Sequence, residues 1–386
     1  MPARQHLVTY GVSTVAAATI TAAALLQPWR ALAPQEAPRE PGIPRVAPAV
    51  VNHPIDVVFA VDTTGSMGGL LDGAKRTVWS IATHIRQTDP NAELRIGLVA
   101  YRDIGDEYVT RDFALTSDLD AVFAELSGYQ AAGGGDEPED VDAALDDSLH
   151  KMQWRGDAKK LVFLVGDAPP ASRGDVPRFD VLAREAGDKQ IILNTIRCGG
   201  SPTTQVAWQR IAALGHGQFS SIGQDGGVHQ IATPYDDKLA ELSAAIDHTA
   251  VIVGDDRRRL VHEFKMSAAA KAPAAAKADR ATYYATKPSK GRAATREDLV
   301  EGVASGTMAV EAMAPAALPA ELRGLDKPAL KLEIDRRIGA RKAAEGELAK
   351  VARQRDEYLR SQAKAGAGGA AGFDAQVNAA LDAQLK

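Results

Sequence analysis

From residue 55 onward, short apolar runs alternate with segments whose apolar residues recur every three or four positions. Ile55 to Val61 is almost continuously apolar, as a central parallel strand buried on both faces requires. Leu70, Ala74, Val78, Ile81 and Ile85 then mark one face of a helix. Leu94 to Tyr101 predicts the next strand, and the alternation from Tyr108 to Ala114, after Asp103-Ile104-Gly105-Asp106, predicts a hairpin to an edge strand. Helices follow over Val141 to Met152, Phe179 to Ala186 and Val206 to Leu214, interleaved with strands over Leu161 to Val165, Ile191 to Ile196 and Gly217 to Ser221. Thr233-Pro234-Tyr235-Asp236 reads as a capped helix start, with Tyr235, Leu239, Leu242 and Ile246 on one stripe. Strands alternating with helices imply an α/β, Rossmann-like, doubly wound fold with a mostly parallel central sheet covered on both faces. Ligands of such sheets bind at the carboxyl ends of the strands, near the point where the strand order reverses.

The flanks differ. Leu7 to Leu26 carries no charge and follows Arg4 and His6, the pattern of an export signal. The segment 1–33 is therefore expected to be a signal peptide or an uncleaved membrane anchor, and the body an exported one, periplasmic, extracellular or anchored. Residues 34–54 read as a Pro-rich linker and 55–253 as the α/β domain. Residues 254–295, with Arg257-Arg258-Arg259 and the Ala/Lys/Pro stretch from Ala268 to Ala276, read as a second linker. Residues 296–386 read as a helical C-terminal extension. It holds a short helix over Leu299 to Val310, a long charged one over Ala329 to Gln362, a flexible segment over 364–372 and a last amphipathic piece from Phe373. Arg341 and Arg355 interrupt the stripe Leu330, Ile334, Leu348, Val351 and Tyr358, so a strong coiled coil is not supported.

Composition changes the picture in two respects. A net charge of -5 leaves no basic face for nucleic acid. A single cysteine, Cys198, ends an apolar strand, so no intramolecular disulfide staples the fold and the thiol reads as structural.

The informative chemistry is Asp62-Thr63-Thr64-Gly65-Ser66, directly after the first strand. It places a carboxylate and two hydroxyls on one turn at the sheet's carboxyl edge, a set suited to a hard divalent cation. A helix start capped by Thr and Ser is the structural alternative. Two further segments favour the cation. The strand Leu161 to Val165 runs through Gly166 into Asp167 at the same edge, and Gly133-Gly134-Gly135-Asp136 forms an acidic loop with Glu137, Glu139 and Asp140 nearby.

Together these segments resemble the von Willebrand factor type A family, whose metal site follows Asp-x-Ser/Thr-x-Ser. Asp62, Thr64 and Ser66 match that pattern and Asp167 matches a later aspartate. Tyr101-Arg102-Asp103, Gly105-Asp106-Glu107 and Gly133 to Glu139 are similar to exported bacterial members. The resemblance covers about residues 55 to 253. It implies a metal-ion-dependent adhesion site holding Mg²⁺ (or Mn²⁺ or Ca²⁺), with recognition of an extracytoplasmic protein partner and no catalysis. It also implies a switch at the domain's last helix, here Tyr235 to Asp247. One departure matters: the family's middle loop usually supplies a threonine, and the matching position here is Asp136. A third carboxylate offsets more of the cation's charge, which weakens the case for capture of a ligand's carboxylate. Asp103, Asp106 and Glu107 are expected as rim residues beside the site.

Two rivals remain open. The turn is also similar to the Asp-x-Thr-Gly-Thr loop of aspartyl-phosphate phosphotransferases, with Asp62 as nucleophile, although Ala168 to Ala171 supplies no further acid after Asp167. The other rival is a metal-free structural scaffold. A serine hydrolase is weaker, since Ser66 lacks the Gly-x-Ser-x-Gly elbow.

Overall fold

The computed structural model describes residues 52–135, 138–173, 175–227, 231–286, 297–364 and 372–385. The expected export segment Leu7 to Leu26, the first linker up to Val51, and Asp136 lie outside them. No helix among the described residues is long and apolar enough to cross a membrane.

Six strands form one sheet: β1 (His53–Asp62), β2 (Ala92–Tyr101), β3 (Thr110–Thr116), β4 (Lys159–Gly166), β5 (Ile191–Cys198) and β6 (His216–Ile222). Their order is β3-β2-β1-β4-β5-β6, and β3 alone runs antiparallel, at the edge beside β2. The order reverses between β1 and β4, whose register pairs Val61 with Val165. Asp62 and Asp167 therefore leave the sheet side by side at the switch point. The side chains of Val57 to Val61 and Leu161 to Val165 are buried nearly completely, which is why both strands read as unbroken apolar runs.

On one face α1 (Gly68–Thr88) and α2 (Leu119–Gly128) pack on the sheet; on the other lie α3 (Val141–His150), α4 (Phe179–Asp188) and α5 (Pro202–Leu214). Helix α2 was not visible in the periodicity, because its ten residues carry apolar side chains around much of their circumference. The last helix of the alternating pattern, α6 (Asp236–Asp247), packs on α8 (Ala274–Thr286) and α10 (Lys327–Lys364). The place beside α1 on the sheet is taken instead by α11 (Phe373–Gln384). There Phe373 packs on Phe59 of β1 with ring centroids 6.0 Å apart, and Val377, Ala380 and Leu381 join the same core.

In its described residues, 254–286, the expected linker is largely helical. α7 (Asp256–Lys271) and α8 fill its described residues and meet at Pro273. Alanine is the strongest helix former, and its small side chain lets helices approach closely, so an Ala/Lys stretch without large apolar residues still packs. Tyr283 and Tyr284 at the end of α8 both lie 5.7 Å, centroid to centroid, from Trp79 of α1. The short helix expected from Leu299 is α9 (Leu299–Ala304), and it joins a separate apolar cluster with Val251, Val310, Leu318, Leu322, Leu330 and Ile334.

Buried ion pairs tie these outer helices down. Arg280 of α8 donates to Asp120 of α2 at 2.6 Å and to Asp247 of α6 at 2.6 Å, and the Tyr284 hydroxyl completes Asp120 at 2.8 Å. Arg355 of α10 holds Asp236 and Asp279 at 2.8 Å each, and Arg341 holds Asp298 at 2.7 Å. The two arginines that break the apolar stripe of α10 are thus its most specific inward contacts.

Removing one member of a buried pair strands the other charge, at a cost of about 3–5 kcal/mol. Arg280→Ala is therefore expected to lower unfolding stability in urea by that amount. Arg336→Ala, which breaks an exposed pair with Glu333, should leave the urea midpoint where it was.

Candidate metal site

Three loops converge where β1 and β4 end. Asp62 closes β1 with no exposed surface. Its Oδ1 accepts hydrogen bonds from the Thr64 backbone N–H at 2.8 Å and the Thr64 hydroxyl at 2.6 Å. The Thr64 hydroxyl also lies 3.3 Å from the Ser66 hydroxyl. Asp62, Thr64 and Ser66 thus form one continuous oxygen array, as a short helical turn from Gly65 to Met67 begins beneath it. No side-chain cap bond starts that turn at Thr64, so the hydroxyl is turned to the carboxylate and not to the helix.

The middle loop docks on this turn through its backbone. Gly65 N–H donates to Gly133 O at 3.2 Å, and Ala132 N–H to Thr63 O at 3.1 Å. Gly134 has φ +74°, and a Cβ there would come within 3.0 Å of the Thr64 side chain, so the loop needs glycine both for its conformation and for the approach. Glycine is equally required at Gly166, where a Cβ would meet the Tyr101 hydroxyl at 2.4 Å and Asp62 Cβ at 3.0 Å. The third loop brings Asp167, half-buried, whose Oδ2 accepts from Gln224 Nε2 at 2.6 Å; the same amide reaches Ser66 O at 3.3 Å.

The electrostatics show an acidic cluster with unmet demands. Asp62 Oδ2 is buried and has no hydrogen-bond partner, and the same holds for Oε2 of Glu139 and Oδ1 of Asp103. Burial pushes the Asp62 carboxyl up to about 7; the Thr64 bonds oppose the shift, the charge of Asp167 adds to it and the Asp167 backbone N–H opposes it. Burial, then the charges of Asp62, Asp103, Asp106 and Asp167, pushes Glu139 up to about 8. The Tyr101 hydroxyl, which donates to Val165 O at 3.2 Å, is held far above its ordinary range by burial and by the same carboxylates.

Asp62, Thr64, Ser66 and Asp167 are therefore brought to one place. Asp136 lies outside the described residues. Among the described residues no group of three or more His, Cys, Asp and Glu side chains is arranged to hold a metal ion; the array combines carboxylates with hydroxyls. Two residues had no place in the sequence-based set. Glu139, seen there only as a nearby acid, is fixed inward because its backbone pairs with the segment after Asp167 (Glu139 N–H to Pro169 O at 3.1 Å, Ala171 N–H to Glu139 O at 2.8 Å). Gln224 follows β6, and nothing in its local sequence distinguishes it. Of the expected rim residues only Glu107 is exposed. Asp103 is buried and ion-paired with Arg173, and the Asp106 carboxylate accepts from Gly134 N–H at 3.2 Å. Asp103 holds its loop from a buried position, and Asp106, half-buried, pins the middle loop.

A parallel sheet with a carboxylate–hydroxyl turn at its switch point defines an α/β domain with an oxygen-lined site at its carboxyl edge. Residues 56–231 match the von Willebrand factor A domain, and the chain carries a domain of that family. A putative ariadne-like RING finger protein of Acanthamoeba polyphaga mimivirus is 30% identical over 131 residues, 34% of this chain and 12% of that protein. The von Willebrand factor A domain-containing protein 7 of Rattus norvegicus is 35% identical over 127 residues, 33% of this chain and 13% of that protein. The chain thus spans about an eighth of the length of these curated relatives. Among solved structures, proximal thread matrix protein 1 from the mussel byssus, with a zinc-occupied MIDAS motif, aligns with a TM-score of 0.37 and 13% identity. That alignment covers 46% of this chain and 43% of the other.

The raised carboxyl groups set a pH dependence. Between the unfolded values near 4 and the folded ones near 7 to 8, the native state binds more protons than the unfolded state. Stability without cation must then fall as pH rises through that window. Urea midpoints in EDTA should drop between about pH 5 and pH 8, and Asp62→Asn should flatten the slope. An identical slope in the variant would separate the effect from this site.

Proposed function

We propose that the domain is a binding module that holds one divalent cation at Asp62, Thr64, Ser66 and Asp167, and recognises its ligand there. The observation that carries this reading is Asp62 Oδ2, wholly buried and without a partner beside two hydroxyls at the switch point. Leaving a carboxylate oxygen so placed is costly, and a cation removes the cost. The donors are all oxygen, which suits Mg²⁺ first, with Mn²⁺ or Ca²⁺ as substitutes. Glu139 adds a further carboxylate within electrostatic reach; Asp136, which the resemblance adds to the set, lies outside the described residues.

A bound cation would supply an electrophilic centre for a ligand oxygen. The chain's own residues do the rest. Thr64 orients Asp62, and Gln224 orients Asp167 and ties it to the Ser66 backbone. The loop from Ala132 to Gly134 shuts the inner side. With Asp62, Asp167 and Glu139 around it, the cation's charge is largely offset, which favours a neutral oxygen of the ligand over an acidic side chain. The chain is read as exported or membrane-anchored, its ligand as an extracytoplasmic protein. A phosphotransferase reading is disfavoured because Ala168 to Ala171 supplies no further acid after Asp167.

Cation binding to the native state alone must raise its stability, by about 2.7 kcal/mol at a hundredfold excess over the dissociation constant. Melting of the full chain is expected to shift upward with Mg²⁺ or Mn²⁺ and to return with EDTA. Asp62→Asn should abolish the shift while being at least as stable as the wild type in EDTA, because the buried charge is gone. No response of the wild type to millimolar cation would leave the metal-free scaffold as the better reading.

A further inference from the structure

Helix α7 faces the wrong way for a solvated helix. Its inward side buries Lys265, 5% exposed, which reaches Asp118 at 2.7 Å. Its outward side leaves Leu260, Val261 and Phe264 at 64%, 51% and 60% exposure. These three sit within five consecutive residues, so one turn and a half carries an apolar ridge that the helix does not use against its own domain. At helical spacing Leu260 and Phe264 stack one turn apart, with Arg257 one turn before and Lys271 two turns after on the same side. Arg257 and Lys271 are exposed and make no ion pair among the described residues. The acidic residues of the helix lie to one flank, where Asp256 is neutralised by Arg259 at 2.6 Å and Glu263 stands exposed.

A short apolar ridge bracketed by cations suits local contact with a lipid headgroup layer: apolar side chains enter the acyl boundary and basic ones meet anionic headgroups. From the ridge, its cationic ends and its inverted burial, we infer that α7 is a membrane-contact helix whose exposed face binds an anionic lipid surface. A second copy of the chain fits less well. Two such ridges packed antiparallel by a twofold axis would set Arg257 of one against Lys271 of the other. The sequence outside the described residues also favours lipid. The uncharged stretch Leu7 to Leu26 is long enough to enter a bilayer. The chain from Leu26 to the start of β1 at His53 can span at most roughly 90 Å, so a bilayer holding that stretch would be within reach of the domain. The inference does not depend on the metal site.

The test places an environment-sensitive fluorophore on the full chain at Ser267→Cys, an exposed position beside the ridge, with Val206→Cys on α5 as the control. Cys198 is buried at 1% and stays unlabelled. Vesicles of phosphatidylcholine alone are compared with vesicles one third phosphatidylglycerol. The expected result is a blue shift and quenching by spin-labelled lipid at position 267 only, and only with phosphatidylglycerol. Arg257→Glu combined with Lys271→Glu should then lower the shifted fraction about tenfold at limiting lipid. Three outcomes would each overturn the inference: a label at 267 that behaves like the one at 206, an equal response to uncharged vesicles, or a lipid-free shift that grows with protein concentration. The last would give the ridge to a second copy.

Discussion

Burying the Asp62 carboxylate at the end of β1 costs solvation that only hydrogen bonds, protonation or a cation can restore. The domain around it is arranged by that constraint. Thr64 satisfies one oxygen twice, through backbone and hydroxyl. Gly166 on the neighbouring strand gives up its side chain so that Tyr101 and Asp62 can approach. The middle loop, built from glycines, closes over the turn, and Asp106 pins it from the hairpin side. The second oxygen lacks a hydrogen bond of full geometry, and the Asp167 backbone N–H beside the carboxyl offsets its burial only in part. Buried polar atoms without a partner call for a reason, and among the described residues Asp62, Asp103 and Glu139 gather three of them around this one site.

A second layer of buried charge organises the periphery through matched ion pairs. Arg280 joins α2, α6 and α8, while Arg355 and Arg341 fasten α10 over α6 and the segment before α9. Such pairs add modestly to stability and strongly to specificity of placement, since few other arrangements would satisfy them. They explain how helices with small or interrupted apolar stripes hold one position, and how the chain's last helix comes to lie on the sheet beside α1. That placement matters for the site. Phe373 N–H donates to Gly226 O at 2.9 Å, in the turn that carries Gln224, and Gln224 in turn holds Asp167.

Much of this was legible in the residues. Parallel strands buried on both faces must be apolar throughout, so Ile55 to Val61 and Leu161 to Val165 announced themselves, and with them the edge where Asp62, Thr64, Ser66 and Asp167 meet. Local pattern could not reveal what depends on distant partners. Residues 254–295 looked like a linker because the packing of their described part, 254–286, rests on alanine and on Arg280, a charge that only a folded Asp120 makes sense of. Arg341 and Arg355 looked like interruptions for the same reason. Asp103 and Asp106 looked like a rim because sequence does not say which way a hairpin acid points. Glu139 owes its inward position to a backbone pairing with Pro169 and Ala171, and Gln224 to a turn some 57 residues beyond its partner Asp167. The segment implied as a switch, Tyr235 to Asp247, packs as α6 on α8 and α10, while α11, more than a hundred positions later, takes the place beside α1 on the sheet.

The central claim is that Asp62 is buried for the sake of a cation. Anomalous diffraction from crystals grown with millimolar Mn²⁺ addresses it directly. A single strong peak in contact with the Asp62 carboxylate and the Thr64 or Ser66 hydroxyl is the expected result. Electron density with no peak there, and Asp62 Oδ2 instead bonded to an ordered water or a protein donor, would contradict it.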